Sequence, residues 1–146
     1  SLYAAKIVGT RGMVYGADLQ KSIPVKVPGG GKIQLICTDI FDDGFLSLTS
    51  QNFSFQVVLS DLAPKTTGHK FSDHLQSIEL SRRALYLAGK MLVRGGHFYC
   101  KVFQGEDFPV FVDEVRHFFK KVKVVKPKSS RVESREVFVL GLDFVG

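Results

Sequence analysis

Short apolar strands alternate with longer amphipathic segments along most of this chain, and this alternation restricts the possible fold more than any other feature. Strand–helix–strand alternation is typical of an α/β fold built on a mostly parallel sheet. At 146 residues the chain is expected to form a single domain. The predicted strands cover residues 13–17, 32–37, 55–59, 98–103, 122–125 and 137–142.

Two helices are predicted in the second half of the chain. The longer one takes Ser72 or Asp73 as its N-cap and runs to about Val93, where Gly95-Gly96 ends it. The shorter one covers residues 108–119 and is amphipathic. The side chains expected on the core side of the longer helix are Leu75, Ile78, Leu80, Leu85, Leu87, Met91 and Leu92.

Three acidic residues stand where predicted strands end: Asp18, Asp39 and Asp61. In a parallel sheet the carboxyl ends of the strands lie along one edge, and ligands bind beyond that edge. We therefore expect these carboxylates to line a ligand site. Asp also occurs often as a turn-capping residue, which is the alternative explanation for Asp18 and Asp39.

The start of the chain predicts an incomplete sheet. Residues 1–8 have a helical, amphipathic pattern. A doubly wound sheet needs a first strand and a glycine-rich turn ahead of its first helix. We expect that the chain begins inside that helix, so that residues 1–146 form an N-terminally incomplete domain with a gap at the centre of its sheet.

Charge favours a polyanionic partner, since the net charge is +6. Seven basic residues and a single acid lie between Lys120 and Arg135. A solvated basic face would explain the same cluster, but its position beside a candidate site favours nucleic acid. No apolar stretch is long enough to span a membrane.

The cysteines and histidines do not predict a metal site or a disulfide framework. Cys37 and Cys100 are too few for a disulfide scaffold, which indicates a reducing compartment. The four histidines have no metal-ligand spacing with them, so no metal is expected. The cysteines are predicted as core thiols, and the histidines as surface side chains.

Three charged residues from distant strands predict one site. Glu136 begins an apolar strand, where a carboxylate is costly to bury unless a cation meets it. Asp61 follows the third strand, and Lys101 lies in the fourth. We expect the Lys101 ammonium to be held by both carboxylates.

Four motifs stand out along the chain: residues 60–64 with Gly68, 95–98, 101–106, and 126–131 with 134–136. They resemble the motifs of the FtsJ/RrmJ-like family of S-adenosylmethionine-dependent RNA ribose 2′-O-methyltransferases, and the likeness extends from Gly12 onward. The resemblance implies a Rossmann-like methyltransferase sheet, mostly parallel with an antiparallel last strand. Within the family, the motifs are most similar to the branch that methylates a uridine ribose in large-subunit ribosomal RNA.

The resemblance also implies roles for individual residues. Asp61, Lys101 and Glu136 match three of the family's four catalytic residues, while the first catalytic lysine and the glycine-rich donor loop have no counterpart in this sequence. Lys101 is expected to act as the base or to orient the hydroxyl. The expected donor-binding residues are Asp18 for the ribose, Asp39 for the adenine amino group, Leu19 and Ile40 for the adenine ring, and Asp61 near the methionine part.

The expected RNA contacts are to phosphates, from Lys126, Lys128, Arg131 and Arg135. The substrate could instead be tRNA or a capped RNA end. A third alternative is an inert RNA-binding or ribosome-assembly module on the same fold, against which the joint presence of Asp61, Lys101 and Glu136 argues. The protein is expected to be a monomer in the cytoplasm, or in mitochondria if it is eukaryotic.

Overall fold

The computed structural model describes residues 1–23, 25–50, 54–128 and 134–146, with the backbone alone for 48–50. The described residues divide into two compact units, Ser1–Leu48 and Thr49–Gly146. The described strands likewise pair into two sheets, one of two strands and one of four.

The first unit contains a helix and two parallel strands: α1 (Leu2–Val8), β1 (Met13–Asp18) and β2 (Lys32–Cys37). β1 pairs with β2 along its whole length, from Met13 opposite Lys32 to Asp18 opposite Cys37. The helix α2 (Asp43–Ser50) follows. It was not predicted, although the Asp42 carboxylate accepts a hydrogen bond from the Gly44 N–H, as N-cap residues do.

The second unit is a four-stranded sheet with two helices. Its elements are β3 (Phe55–Ser60), α3 (Lys70–Met91), β4 (Leu92–Phe103), α4 (Phe108–Arg116), β5 (Phe119–Val125) and β6 (Glu136–Phe144). The strand order is β3-β4-β6-β5, with β3 parallel to β4 and β6 antiparallel to both of its neighbours. The predicted antiparallel last strand is confirmed.

The core of the second unit lies between α3, α4 and one face of the sheet. Strand residues with fully buried side chains, Phe98, Cys100, Val102 and Val139, provide the sheet side of this core. The helices contribute their own buried apolar residues, which are Ile78, Ala84, Leu85, Ala88, Phe111, Val112 and Val115. The opposite face of the sheet carries the alternate strand residues, and Lys101 is one of them.

The predicted bounds of α3 are wrong at both ends. The helix begins at Lys70 with His69 as N-cap, so Asp73 lies inside the first turns and accepts hydrogen bonds from Thr67 at 2.8 Å. It ends at Met91, and Gly95-Gly96 lie within β4. A glycine suits position 96 because β3 passes close to it: an added Cβ would lie 3.0 Å from the Gln56 carbonyl oxygen.

The border between α4 and β5 also differs from the prediction. The helix ends at Arg116, and Phe119 already belongs to the strand, where its ring packs against Phe98 and Phe144. The aromatic residues at 118 and 119 continue the apolar pattern of the helix, which is why the sequence predicts it too long. Tertiary packing of Phe119 decides the boundary.

Three burial predictions are wrong. Leu75 was expected in the core and is 41% exposed, while His74 was expected on the surface and is 2% exposed. Cys37 is exposed, and Cys100 is a buried thiol as expected. No described helix is long and apolar enough to cross a membrane.

Candidate active site

Asp61 and Lys101 form an ion pair at the carboxyl ends of two parallel strands. The last residue of β3, Ser60, pairs with Cys100 on β4, so the residues that follow each of them are neighbours. The Lys101 ammonium lies 2.9 Å from Oδ1 of Asp61. The lysine side chain is 12% exposed and the aspartate 82%, so the carboxylate lies at the surface and the lysine stem is packed inside.

Glu136 lies on the same face of the sheet as Lys101, two residues along β6 from the residue that pairs with Lys101. In the antiparallel pairing of β4 with β6, Lys101 is opposite Phe138 and Phe103 is opposite Glu136. Paired residues of an antiparallel ladder share a face, as do residues two apart on one strand. Within the described residues the Lys101 ammonium contacts the Asp61 carboxylate and not that of Glu136.

Two aromatic side chains flank Lys101 on this face. The rings of Tyr99 and Phe138 stack with centroids 4.7 Å apart. Burial, followed by the nearby Asp61 carboxylate, raises the pKa of Tyr99, so its phenol stays neutral at physiological pH. No role for this pair was predicted from the sequence. Tyr99 is two residues from Lys101 and Phe138 is two residues from Glu136, and this spacing places all four side chains on one face.

In the basic tail, the segment from Lys120 to Arg135, two of the described side chains donate hydrogen bonds to backbone carbonyls. The Lys126 ammonium donates to the Ser134 carbonyl at 2.7 Å, and the Arg135 guanidinium donates to the Lys70 carbonyl at 3.0 Å. Arg135 also lies over the Phe103 ring, 5.7 Å from its centroid. Lys128 is exposed. The remaining predicted phosphate contact, Arg131, lies outside the described residues.

In the first unit, Asp18 and Asp39 lie at the carboxyl ends of the adjacent strands β1 and β2. Oδ1 of Asp18 accepts from the Gln20 N–H at 3.0 Å, and Oδ1 of Asp39 accepts from the Phe41 N–H at 2.9 Å. Both carboxylates thus cap turns, which is the explanation that the sequence leaves open as the alternative to ligand binding. Each also has a second oxygen, with which an ionised carboxylate can accept from a ligand hydroxyl or amino group.

These residues fit the adenosine part of a methyl donor. Leu19 follows Asp18 and is 70% exposed, so it offers an apolar surface beside a carboxylate. Ile40, next to Asp39, is half-buried. An apolar contact for a ring and carboxylates for hydroxyl and amino groups are the chemistry that a nucleoside needs. Asp61 belongs to the second unit, together with Lys101.

Comparison with known proteins agrees with this chemistry. A protein from Desulfotalea psychrophila named "Ribosomal RNA large subunit methyltransferase E" is 45% identical over 99% of this chain and 72% of its own length. A protein of the same name from Oleidesulfovibrio alaskensis is 43% identical over 100% of this chain and 70% of its own length.

Two solved structures share the fold. A Plasmodium falciparum structure described as a ribosomal RNA methyltransferase superposes with a TM-score of 0.72 at 23% identity, covering 91% of this chain and 72% of that one. A Streptococcus mutans methyltransferase-like protein in complex with SAH has a TM-score of 0.52 at 14% identity, covering 90% and 72% of the two chains. The profile of the FtsJ-like methyltransferase family matches residues 1–144. The chain therefore belongs to the FtsJ-like methyltransferase family.

Proposed function

We propose that this protein transfers a methyl group from S-adenosylmethionine to a ribose 2′-hydroxyl in large-subunit ribosomal RNA. The observation that carries this proposal is the Lys101–Asp61 ion pair, which lies on one sheet face with Glu136. The names of the 45% and 43% identical relatives support the same substrate.

Lys101 is the proposed base or hydroxyl-orienting group. A ribose hydroxyl is a weak nucleophile at neutral pH, so methyl transfer needs in-line placement and a group that takes the hydroxyl proton. A lysine stem that is 12% exposed can present its ammonium in one direction, with Asp61 holding it there. Glu136, one register step along the same face, is the second carboxylate within the site.

Asp18, Asp39, Leu19 and Ile40 are the proposed contacts to the adenosine of the donor, with Asp61 near its methionine part. When bound, the donor supplies an electrophilic methyl group on a sulfonium. The protein's part is to hold the nucleoside by carboxylates and apolar contacts, and to place the hydroxyl by Lys101. This division of labour leaves positioning as the main catalytic contribution of these residues.

RNA phosphates are the proposed partners of the basic tail. Lys126 and Lys128 are exposed, and Arg131 completes the predicted set. Arg135 is half-buried with its guanidinium against Phe103, so we expect it to contribute less to phosphate binding than the two lysines. We also propose that the protein acts as a monomer in the cytoplasm, and the mitochondrial location remains a prediction for a eukaryotic source.

The test is to map ribose methylation in cells that lack the full-length protein. One 2′-O-methylated position in large-subunit ribosomal RNA should disappear, and the wild-type protein should restore it. Lys101→Ala should bind the donor by calorimetry yet fail to restore the mark. Lys101→Arg is the matched control, because it keeps the positive charge but is too basic to act as a proton acceptor.

Other outcomes would redirect the assignment. Loss of a mark in tRNA or at a capped end, with ribosomal RNA unchanged, would move the substrate and keep the chemistry. Absence of donor binding by the full-length wild-type protein would indicate an inert RNA-binding module. Full restoration by Lys101→Ala would reject the role of the lysine.

A further inference from the structure

A polar stripe runs along the buried side of α3. His74, Ser77 and Ser81 are 2%, 1% and 1% exposed. Their spacing of three and four residues places them on one face of the helix, where apolar side chains would ordinarily pack. Burying polar side chains is costly unless they are hydrogen-bonded, so the partners of this stripe show what it does.

The partners lie at the carboxyl end of β4. That strand continues to Phe103, whereas β3 ends at Ser60, opposite Cys100. The Gln104 N–H donates to the Arg135 carbonyl on the β6 side at 2.8 Å. Because successive residues of a strand point their backbone groups to opposite sides, those of Phe103 point away from β6, past the end of β3.

Beyond the last described pair of β3 with β4, side chains of α3 take the place of a strand partner for Phe103. The Phe103 N–H donates to Oγ of Ser77 at 2.9 Å. Nδ1 of His74 lies 3.0 Å from the Phe103 carbonyl oxygen and donates to it. Both backbone groups of one residue are thus held by one face of one helix.

The second ring nitrogen of His74 fixes its tautomer. Nε2 lies 3.0 Å from the Asp107 backbone nitrogen and accepts its N–H, so the proton of a neutral ring is on Nδ1. The imidazole therefore links the end of β4 to the turn before α4. That turn passes close to the ring, since a Cβ added at Gly105 would lie 2.5 Å from Nδ1.

We propose that His74 and Ser77 are positioning residues for methyl transfer. By holding both backbone groups of Phe103, they fix the strand end that carries Lys101 two residues earlier. The Asp61 carboxylate, which is 82% exposed, orients the Lys101 ammonium but does not hold the strand backbone that carries the lysine. The proposal rests on the role of Lys101 proposed above.

The test separates the hydrogen bond from the shape of the side chain. His74→Asn keeps an N–H donor near the position of Nδ1, and His74→Leu has a similar shape without a donor. We expect His74→Leu to lower kcat roughly 10- to 100-fold, the range that a sub-ångström to 1 Å displacement produces. KM for RNA and the donor Kd should stay within about twofold, because neither residue contacts a ligand.

Rescue is the distinguishing readout. His74→Asn should recover kcat to within about threefold of wild type, since it restores the bond to the Phe103 carbonyl. Ser77→Ala removes the partner of the Phe103 N–H with the loss of one atom, and it should lower kcat in the same direction. This second variant keeps the test decisive if His74→Leu does not fold.

The control is Arg82→Gln, on the same helix. It breaks the Arg82–Glu114 pair between α3 and α4, whose Nη2–Oε1 distance is 2.6 Å, and it does not touch the strand end. Its kcat should equal that of wild type. The proposal would be overturned by an unchanged kcat in folded His74→Leu or Ser77→Ala. Failure of His74→Asn to restore kcat, or a loss of kcat in Arg82→Gln equal to that in His74→Leu, would overturn it as well.

Lys101→Ala is measured in parallel so that the two proposals can fail separately. If it is inactive while His74→Leu keeps its kcat, the lysine keeps its role and the positioning proposal fails. If Lys101→Ala retains activity, the role of the lysine fails, and the positioning proposal that depends on it fails as well.

Discussion

The ammonium nitrogen of Lys101 lies 2.9 Å from Oδ1 of Asp61, although the two side chains differ greatly in exposure, at 12% and 82%. Water screens the carboxylate, whereas the lysine side chain is largely buried. The pair is therefore worth little to stability as an exposed ion pair, while it determines which way the ammonium points. This difference separates a functional effect from a structural one.

Asp61→Asn tests this separation. We expect the free energy of unfolding to change by less than about 1 kcal/mol, as for exposed ion pairs. The kcat for RNA methylation should fall by about tenfold or more, since the group that orients the proposed base is gone. Urea unfolding and single-turnover kinetics measure the two quantities.

Asp113→Asn is the matched control for Asp61→Asn, because it removes an exposed carboxylate that pairs with Arg116 on α4, away from the strand ends. It should alter neither the stability nor kcat. Equal kcat in the two variants would contradict a catalytic role for Asp61.

Asp73 makes stability depend on pH in the acid range. The backbone N–H of Thr67 lowers the pKa of this carboxyl below its ordinary value of 3.8; the Thr67 hydroxyl adds to the effect and burial opposes it. Because the folded-state pKa is lowered, the stabilisation is fully present above 3.8 and is lost as pH falls through the folded-state value. Wild type should thus exceed Asp73→Asn in stability at about pH 6, with the difference shrinking towards about pH 3.

Urea titrations of both proteins at the two pH values check this prediction. Thr67→Val, which lacks the hydroxyl but keeps the backbone N–H, should show an intermediate pH dependence. A difference between wild type and Asp73→Asn that is constant with pH would refute the assigned origin of the shift.

The two cysteines should differ sharply in reactivity. Burial raises the pKa of the Cys100 thiol to about 11, and the thiolate is the reactive form. Cys37 is exposed, with Sγ 3.3 Å from the Leu19 carbonyl oxygen. An alkylating reagent at about pH 8 should therefore modify Cys37 in the folded protein and Cys100 only after denaturation, as read by peptide mass spectrometry.

The same labelling experiment tests the proposed donor site. Since Leu19 is a proposed adenine contact, S-adenosylmethionine should slow the labelling of Cys37, and adenosine should do so at higher concentration. Cys37→Ser provides the control for background labelling. An unchanged rate at saturating donor would argue against the placement of the adenosine beside β1 and β2.

The strand ends were predictable because each strand marks its own end in the local sequence. Each of β1, β2 and β3 is a run of apolar residues followed within two residues by Asp, and parallel pairing then brings the carboxyl ends together. The ion pair of Asp61 with Lys101 follows from that register. The sequence did not place the side chain of Glu136, because it does not fix the antiparallel register, which puts Glu136 opposite Phe103 and Phe138 opposite Lys101.

The inner side of α3 could not be predicted from hydrophobicity alone. The pattern favours Leu75 in the core, but the helix is rotated so that His74 and Ser77 face the strand end. Apolar residues at both positions would leave both backbone groups of Phe103 unsatisfied, a cost of about 1–3 kcal/mol for each group. The requirement arises from the different lengths of β3 and β4, which only the folded sheet determines.

Two glycine substitutions should have opposite effects on stability, because Gly105 contacts the buried His74 ring and Gly89 has open space around it. Gly105→Ala would place its Cβ 2.5 Å from Nδ1 of the buried ring, so we expect a loss of about 1–3 kcal/mol in the free energy of unfolding. In a His74→Ala background the ring is absent, and the same substitution should cost less than about 0.5 kcal/mol. Gly89 on α3 has open space around an added Cβ, so Gly89→Ala should stabilise the protein by about 0.5–1 kcal/mol. Urea unfolding of the four single and double variants decides the matter, and an equal cost of Gly105→Ala with and without the imidazole would show that the ring is not what the turn packs against.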